Sequence, residues 1–124
     1  MSLTALSNRA LERAGLNPAD AAITSDILIK ADMIGIPTHG VVRLSSYTGR
    51  LRGGAVDAAA KPAVDMRAPS LAIVDGQNGL GPVVAMVALE SAMQMAAETG
   101  IAYVGCRSSN HLGALVPYAL KACE

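Results

Sequence analysis

Apolar positions recur with a helical period in the first third of the chain. Leu3, Leu6, Ala10, Leu11 and Ala14 fall near one face, with Arg9, Glu12 and Arg13 elsewhere and Gly15 available as a stop, so the spacing predicts a helix over residues 3–14. Asn17-Pro18-Ala19-Asp20 then reads as an N-cap, a proline at the first helical position and an acidic residue in the first turn. Ile23, Ile27, Ala31 and Ile34 follow on one face, and Gly35 ends this second helix. Pro37 disfavours a helical conformation at Ile36, and Thr38 is placed to cap what comes next. A third helix is expected from about His39, with Leu44, Tyr47 and Leu51 facing inward and Gly53-Gly54 as its stop.

The period then changes. "GGAVDAAAKPAV" reads as a linker, Leu71 to Val74 as a strand, and "DGQNGLGP" as a turn. Residues 82–98 are apolar nearly all round, as in a helix packed on more than one side, entered at Pro82 and ended at Gly100. "IAYVGC" reads as a short, fully apolar strand, "RSSN" as a polar loop, and "HLGALVPYALKA" as a helix entered or kinked at Pro117. The expected fold class is mixed α/β, with a helical unit over residues 1–55 and, over 56–124, the first part of a mixed α/β cofactor or substrate domain. The helical pattern reaches the last residue with no stop signal, so the chain is expected to be part of a longer domain.

Composition narrows the options. The 124 residues are 52% hydrophobic and 16% charged, with no Trp or Phe and three Tyr, so Ala, Val, Leu and Met must fill the core. Such small side chains bury little area each, which favours completion of the core against another segment or subunit. Ten basic and ten acidic residues cancel and are scattered, unlike the basic footprint of a nucleic-acid or anionic-membrane binder. Small molecules or proteins are the expected partners. Cys106 and Cys123 form no CxxC pair or secreted-type framework, which suits reduced thiols in a cytoplasmic protein. The first fifteen residues lack a secretory pattern, and the longest apolar run is broken by Glu90 and Gln94.

Candidate chemistry gathers in "IPTHGVVRLSSYTGRL". If a helix begins near His39, then His39, Arg43 and Tyr47 stand at i, i+4 and i+8 and form one polar strip. Arginine offers a bidentate clamp for a carboxylate, tyrosine a directed hydroxyl, and histidine a proton for a carbonyl or hydroxyl, which outlines an organic-acid site. His111 follows a strand and its loop, where α/β proteins present reactive groups. Two histidines without acidic or thiol ligands at suitable spacing give no metal site. The glycines of "DGQNGLGP" follow neither GxGxxG nor a Walker pattern, and Ser108 and Ser109 have no nucleophile elbow.

With "ADMIGIPTHGVVRLSSYTGRLRGG" and "AIVDGQNGLGPVVAMVALESAMQMAAETGIAYVGCRSSNHLGALVPYA" in that order, the sequence resembles the malate/L-lactate dehydrogenase family, which lacks a Rossmann fold. The resemblance implies an NAD- or NADP-dependent two-domain oxidoreductase, a homodimer, that interconverts small 2-hydroxy and 2-oxo acids. It places the family's Ser/Thr-His-Gly motif on Thr38, His39 and Gly40, substrate-binding roles on Thr38, Arg43 and Tyr47, and the catalytic pair on His111 and His39. Either histidine could move the proton, with His111 leading. The family's lysine, its acidic partner and most nucleotide contacts would lie beyond Glu124, so this chain alone is expected to be inactive, and no cofactor-binding residue is assigned. The competing expectation is a non-catalytic helical interaction module, on the strength of the Ala/Met-rich composition and sparse charge.

Overall fold

The computed structural model describes residues 2–124. The first helix, α1 (Leu3–Arg13), is capped by Ser2, whose hydroxyl accepts from the Ala5 N–H. Its buried residues are Ser7 and Leu11, whereas Leu3 and Leu6 stay about half exposed, so the inward stripe is narrower than the apolar spacing predicts. Helix α2 (Pro18–Met33) starts on Asn17, whose side chain accepts from the Asp20 N–H and donates to the Asp20 carboxylate, at 3.0 and 2.7 Å. Such a cap is worth about 1 kcal/mol. This helix is buried on two faces. Ala21 and Leu28 join one apolar cluster with Leu11 and Tyr47, and Ile27 joins another with Met86 and Tyr118. Ile34, expected on the inner face, is instead exposed.

The expected third helix does not begin at His39. Two 3₁₀ turns, Pro37–His39 and Val41–Arg43, precede α3 (Leu44–Arg52). Gly40 between them is extended, because the Asp32 carboxylate on α2 reaches over it and accepts the Val41 N–H at 2.8 Å. A Cβ at Gly40 would overlap that carboxylate. Glycine is therefore a requirement of close approach here.

Three strands follow in the order β1-β2-β3. Strand β1 (Ala63–Ala68), which was not expected, starts in the last two residues of the stretch read as linker and pairs antiparallel with β2 (Leu71–Asp75). Strand β2 pairs in parallel with β3 (Tyr103–Arg107) through the crossover helix α4 (Gly81–Thr99). Ala72 and Val74 are fully buried towards α4, whose Val84 and Ala88 complete that layer with Val74. Burial of the Val74 and Val84 side chains contributes roughly 1.5–3 kcal/mol each. Gly100 ends α4 in the left-handed region at φ 84°. The last helix, α5 (Val116–Ala122), is entered through Pro117 and is shorter than its apolar pattern suggests, since residues 111–115 form a loop. Among the described residues no helix is long and apolar enough to cross a membrane.

Candidate active site

Parallel pairing of β2 and β3 brings their carboxyl ends together, and the two loops that leave them are stitched to each other. Gly76 N–H donates to Arg107 O at 2.9 Å, and Asn78 N–H to Ser108 O at 2.8 Å. Asn110 then clamps the glycine turn, its amide donating to Asn78 O, Asn78 Oδ1 and Gly79 O at 3.2, 3.1 and 2.9 Å. Its own carbonyl accepts from Arg50 Nη2 at 3.0 Å, and this ties the loop to α3. The backbone oxygens of Asn110 and His111 lie where a Cβ on Gly81 would stand. The start of α4 is thus covered by carbonyl groups, and "DGQNGLGP" is a packed turn rather than an anion cradle.

On this platform stands His111. Its ring lies 5.5 Å from that of His39, nearly parallel at 24°, and 5.9 Å from that of Tyr47 at a steep angle. The buried Tyr47 hydroxyl is 2.8 Å from His111 Nδ1 and 3.2 Å from His111 O, and Gly113 N–H points to the same Nδ1 at 3.3 Å. His39 pairs its Nδ1 with Thr38 Oγ1 at 3.0 Å, so Thr38 orients His39 instead of capping a helix. Arg43 Nε donates to Thr38 O at 2.7 Å and closes the 3₁₀ segment on itself. Arg43, Ser46, Tyr47, Arg50, Asn110 and His111 line one small cavity with Val56 and Leu80. Its volume of about 120 Å³ is that of roughly four water molecules, a size suited to a small organic acid.

Electrostatics in the cavity are one-sided. No carboxylate pairs with Arg43 or Arg50 among the described residues. Burial lowers the His111 pKa, and the Arg43, His39 and Arg50 charges lower it further. His111 as a residue nevertheless remains exposed. Burial pushes the Tyr47 phenol up to about 12, against the opposing pull of the two arginines, and it stays a neutral donor and acceptor.

His39, Arg43, Tyr47 and His111 therefore meet, although by another route than a single helical strip. Tyr47 lines the cavity but spends its hydroxyl on His111. Arg50 and Asn110 are site residues that the sequence reading missed. Arg50 stands seven residues after Arg43 on the face of Tyr47, a helical spacing that could have found it. Asn110 precedes His111 in the "SNH" piece.

A cavity at the carboxyl ends of parallel strands, lined by arginines and a histidine, defines an α/β protein with a cationic pocket whose chemistry suits a small anion. Residues 1–124 match the malate/L-lactate dehydrogenase family, and the chain belongs to it. It is 40% identical over 116 residues to the malate dehydrogenase of Pyrococcus horikoshii, covering 94% of this chain and 32% of that protein. The solved structure of malate dehydrogenase from Pyrococcus horikoshii OT3 superposes with a TM-score of 0.92 at 39% identity, over 96% of this chain and 34% of that one. The (2R)-3-sulfolactate dehydrogenase (NADP(+)) of Chromohalobacter salexigens is 36% identical over 105 residues, covering 84% of this chain and 31% of that protein. The ureidoglycolate dehydrogenase (NAD(+)) of Escherichia coli strain K12 is 31% identical over 112 residues, with 90% and 32% covered. The chain spans about a third of the length of these curated relatives. The expected alternative, a helical interaction module, finds no support in this family or in a fold with a three-stranded sheet.

Proposed function

We propose that this chain supplies the acid-binding side of an NAD- or NADP-dependent oxidoreductase that interconverts a small 2-hydroxy acid and its 2-oxo acid. The observation that carries the reading is the meeting of Arg43 and His111 at one small cavity, with His39 stacked on His111 and no carboxylate among the described residues that line it. Relatives named as malate and sulfolactate dehydrogenases support it. Arg43 uses Nε on Thr38 O, which leaves its terminal nitrogens to clamp the substrate carboxylate in a planar fork. His111, engaged through Nδ1, presents Nε2 to the substrate oxygen as acid or base, and His39, oriented by Thr38, bonds the same oxygen. The nicotinamide supplies or accepts the hydride. No residue of this chain is assigned to the dinucleotide, because its glycine turn is filled by the backbone of residues 110 and 111. In this reading residues 1–55 and 56–124 are a helical unit and the first part of a mixed domain of a cytoplasmic homodimer. Two exposed, unpaired cysteines and several exposed apolar side chains suit that setting.

Steady-state kinetics of the complete enzyme on a panel of 2-oxo acids, with NADH and NADPH, test the proposal. Arg43→Lys keeps the charge and loses the fork, so KM for the acid should rise by about 30-fold, equivalent to roughly 2 kcal/mol. An unchanged KM would reduce Arg43 to a brace for Thr38.

A further inference from the structure

We propose that Tyr47 is a positioning residue for His111, its hydroxyl donating to a bare Nδ1 in the resting ring and accepting from Nδ1–H while the ring exchanges a proton at Nε2. The proposal rests on the reading of His111 as the acid/base group.

An imidazole nitrogen carries either a lone pair or a proton, so at 2.8 Å the Tyr47 oxygen must donate to Nδ1 or accept from it. With Nδ1 bare, the phenol donates to it, Gly113 N–H leans on the same lone pair, and Nε2 bears the proton. With Nδ1 protonated, the ring donates to the phenol oxygen, and the phenol proton turns to His111 O at 3.2 Å. Rotation of one O–H bond exchanges the two at Tyr47, and the second leaves Gly113 N–H without the Nδ1 lone pair.

Proton exchange at Nε2 in either direction uses the second arrangement. When Nε2 gives its proton to the substrate oxygen, the ring passes from imidazolium to the neutral form protonated at Nδ1. When Nε2 takes the hydroxyl proton back, the ring returns to imidazolium. Each state needs an acceptor for the Nδ1 proton, and among the described residues no Asp or Glu bonds the ring. The groups around it are Arg43, Arg50 and His39, which all oppose the imidazolium. The Tyr47 oxygen stands 2.8 Å from Nδ1 and can accept that proton.

Incorporation of 3-fluorotyrosine at position 47 in the complete enzyme tests this without deleting the hydroxyl. Fluorination makes the phenol a stronger donor and a weaker acceptor, so the His111 pKa read by ring ¹⁵N NMR should move downward. An unmoved pKa would overturn the proposal. Tyr47→Phe keeps the buried ring and should lower kcat about 10- to 100-fold with KM for the acid within about twofold. A raised KM with unchanged kcat would overturn it in favour of direct substrate contact. If the unmodified enzyme turned over no 2-oxo acid, the functional reading would fall, and the NMR result would still decide whether Tyr47 is coupled to His111.

Discussion

His39 and His111 face each other across 5.5 Å, but the chain holds them by different means. His39 sits on two 3₁₀ turns fastened by side chains: the Asp32 carboxylate on Val41 N–H, the Thr38 hydroxyl on the ring, and Arg43 on Thr38 O. His111 sits on a loop whose own backbone is pressed against the start of α4 and pinned by Asn110. Side-chain fastenings can swing aside when crowded, whereas backbone carbonyls locked in a network cannot. The two histidines thus share one site on supports of unequal stiffness.

The sharpest way to break this comparison is Gly81→Ala. The new methyl would overlap the backbone oxygens of Asn110 and His111, neither of which can rotate away, so the loop or α4 must shift. Destabilisation of roughly 3 kcal/mol is expected from overpacking of this kind, read as the change in unfolding free energy by denaturant titration. A loss under about 1 kcal/mol would mean that the loop is softer than its packing implies.

Asn110→Ala attacks the same support without a clash. It removes an amide that donates to the glycine turn and an acceptor for Arg50, and leaves Gly79 O short of its donor. A cost of about 2 kcal/mol follows from several modest hydrogen bonds lost together. Circular dichroism melts check it, and faster amide exchange at Gly113 than in the unmodified chain would locate the damage at the His111 loop.

On the softer side, Gly40→Ala should cost about 1 kcal/mol, because the Asp32 carboxylate can turn away at the expense of its bond to Val41 N–H. A double-mutant cycle with Asp32→Ala would sharpen the point. Removal of Asp32 removes the obstacle, so Gly40→Ala should cost markedly less in that background. Equal costs in both backgrounds would show that Gly40 is needed for its backbone and not for the close approach.

The same contrast explains which features were legible in the sequence. Local rules found the Asn17 cap, Pro18, the Gly100 stop and β2, since each depends on residues within one turn or strand. The break at Gly40 was hidden, because it is imposed by Asp32 from the preceding helix. Strand β1 did carry a period of two, Val64 and Met66 alternating with Asp65 and Arg67, but its exposed side chains and Ala/Pro-rich approach resemble a linker. His39, Arg43 and His111 stood out by chemical type and by family resemblance. Arg50 and Asn110 did not, because their meaning lies in contacts between residues 31 to 60 positions apart. Tyr47 was legible as part of a strip, while the partner of its hydroxyl lies 64 residues away.

The smallest expected effect is the pH dependence contributed by His111. Folding lowers its pKa below the ordinary 6.5, so on acidification the unfolded chain takes up this proton before the folded one does. The contribution is therefore fully present above pH 6.5 and is lost as pH falls through the lowered folded-state value. Burial is the leading cause and is insensitive to salt, while the Arg43, His39 and Arg50 contributions are screened, so added salt should shrink part of the effect. Denaturant titrations of the unmodified chain and of His111→Asn between pH 8 and pH 5 measure it as a difference. The advantage of the unmodified chain over the variant should decline on acidification. An advantage that grew would mean that folding favours the imidazolium, with the Tyr47 oxygen as acceptor outweighing burial and the two arginines.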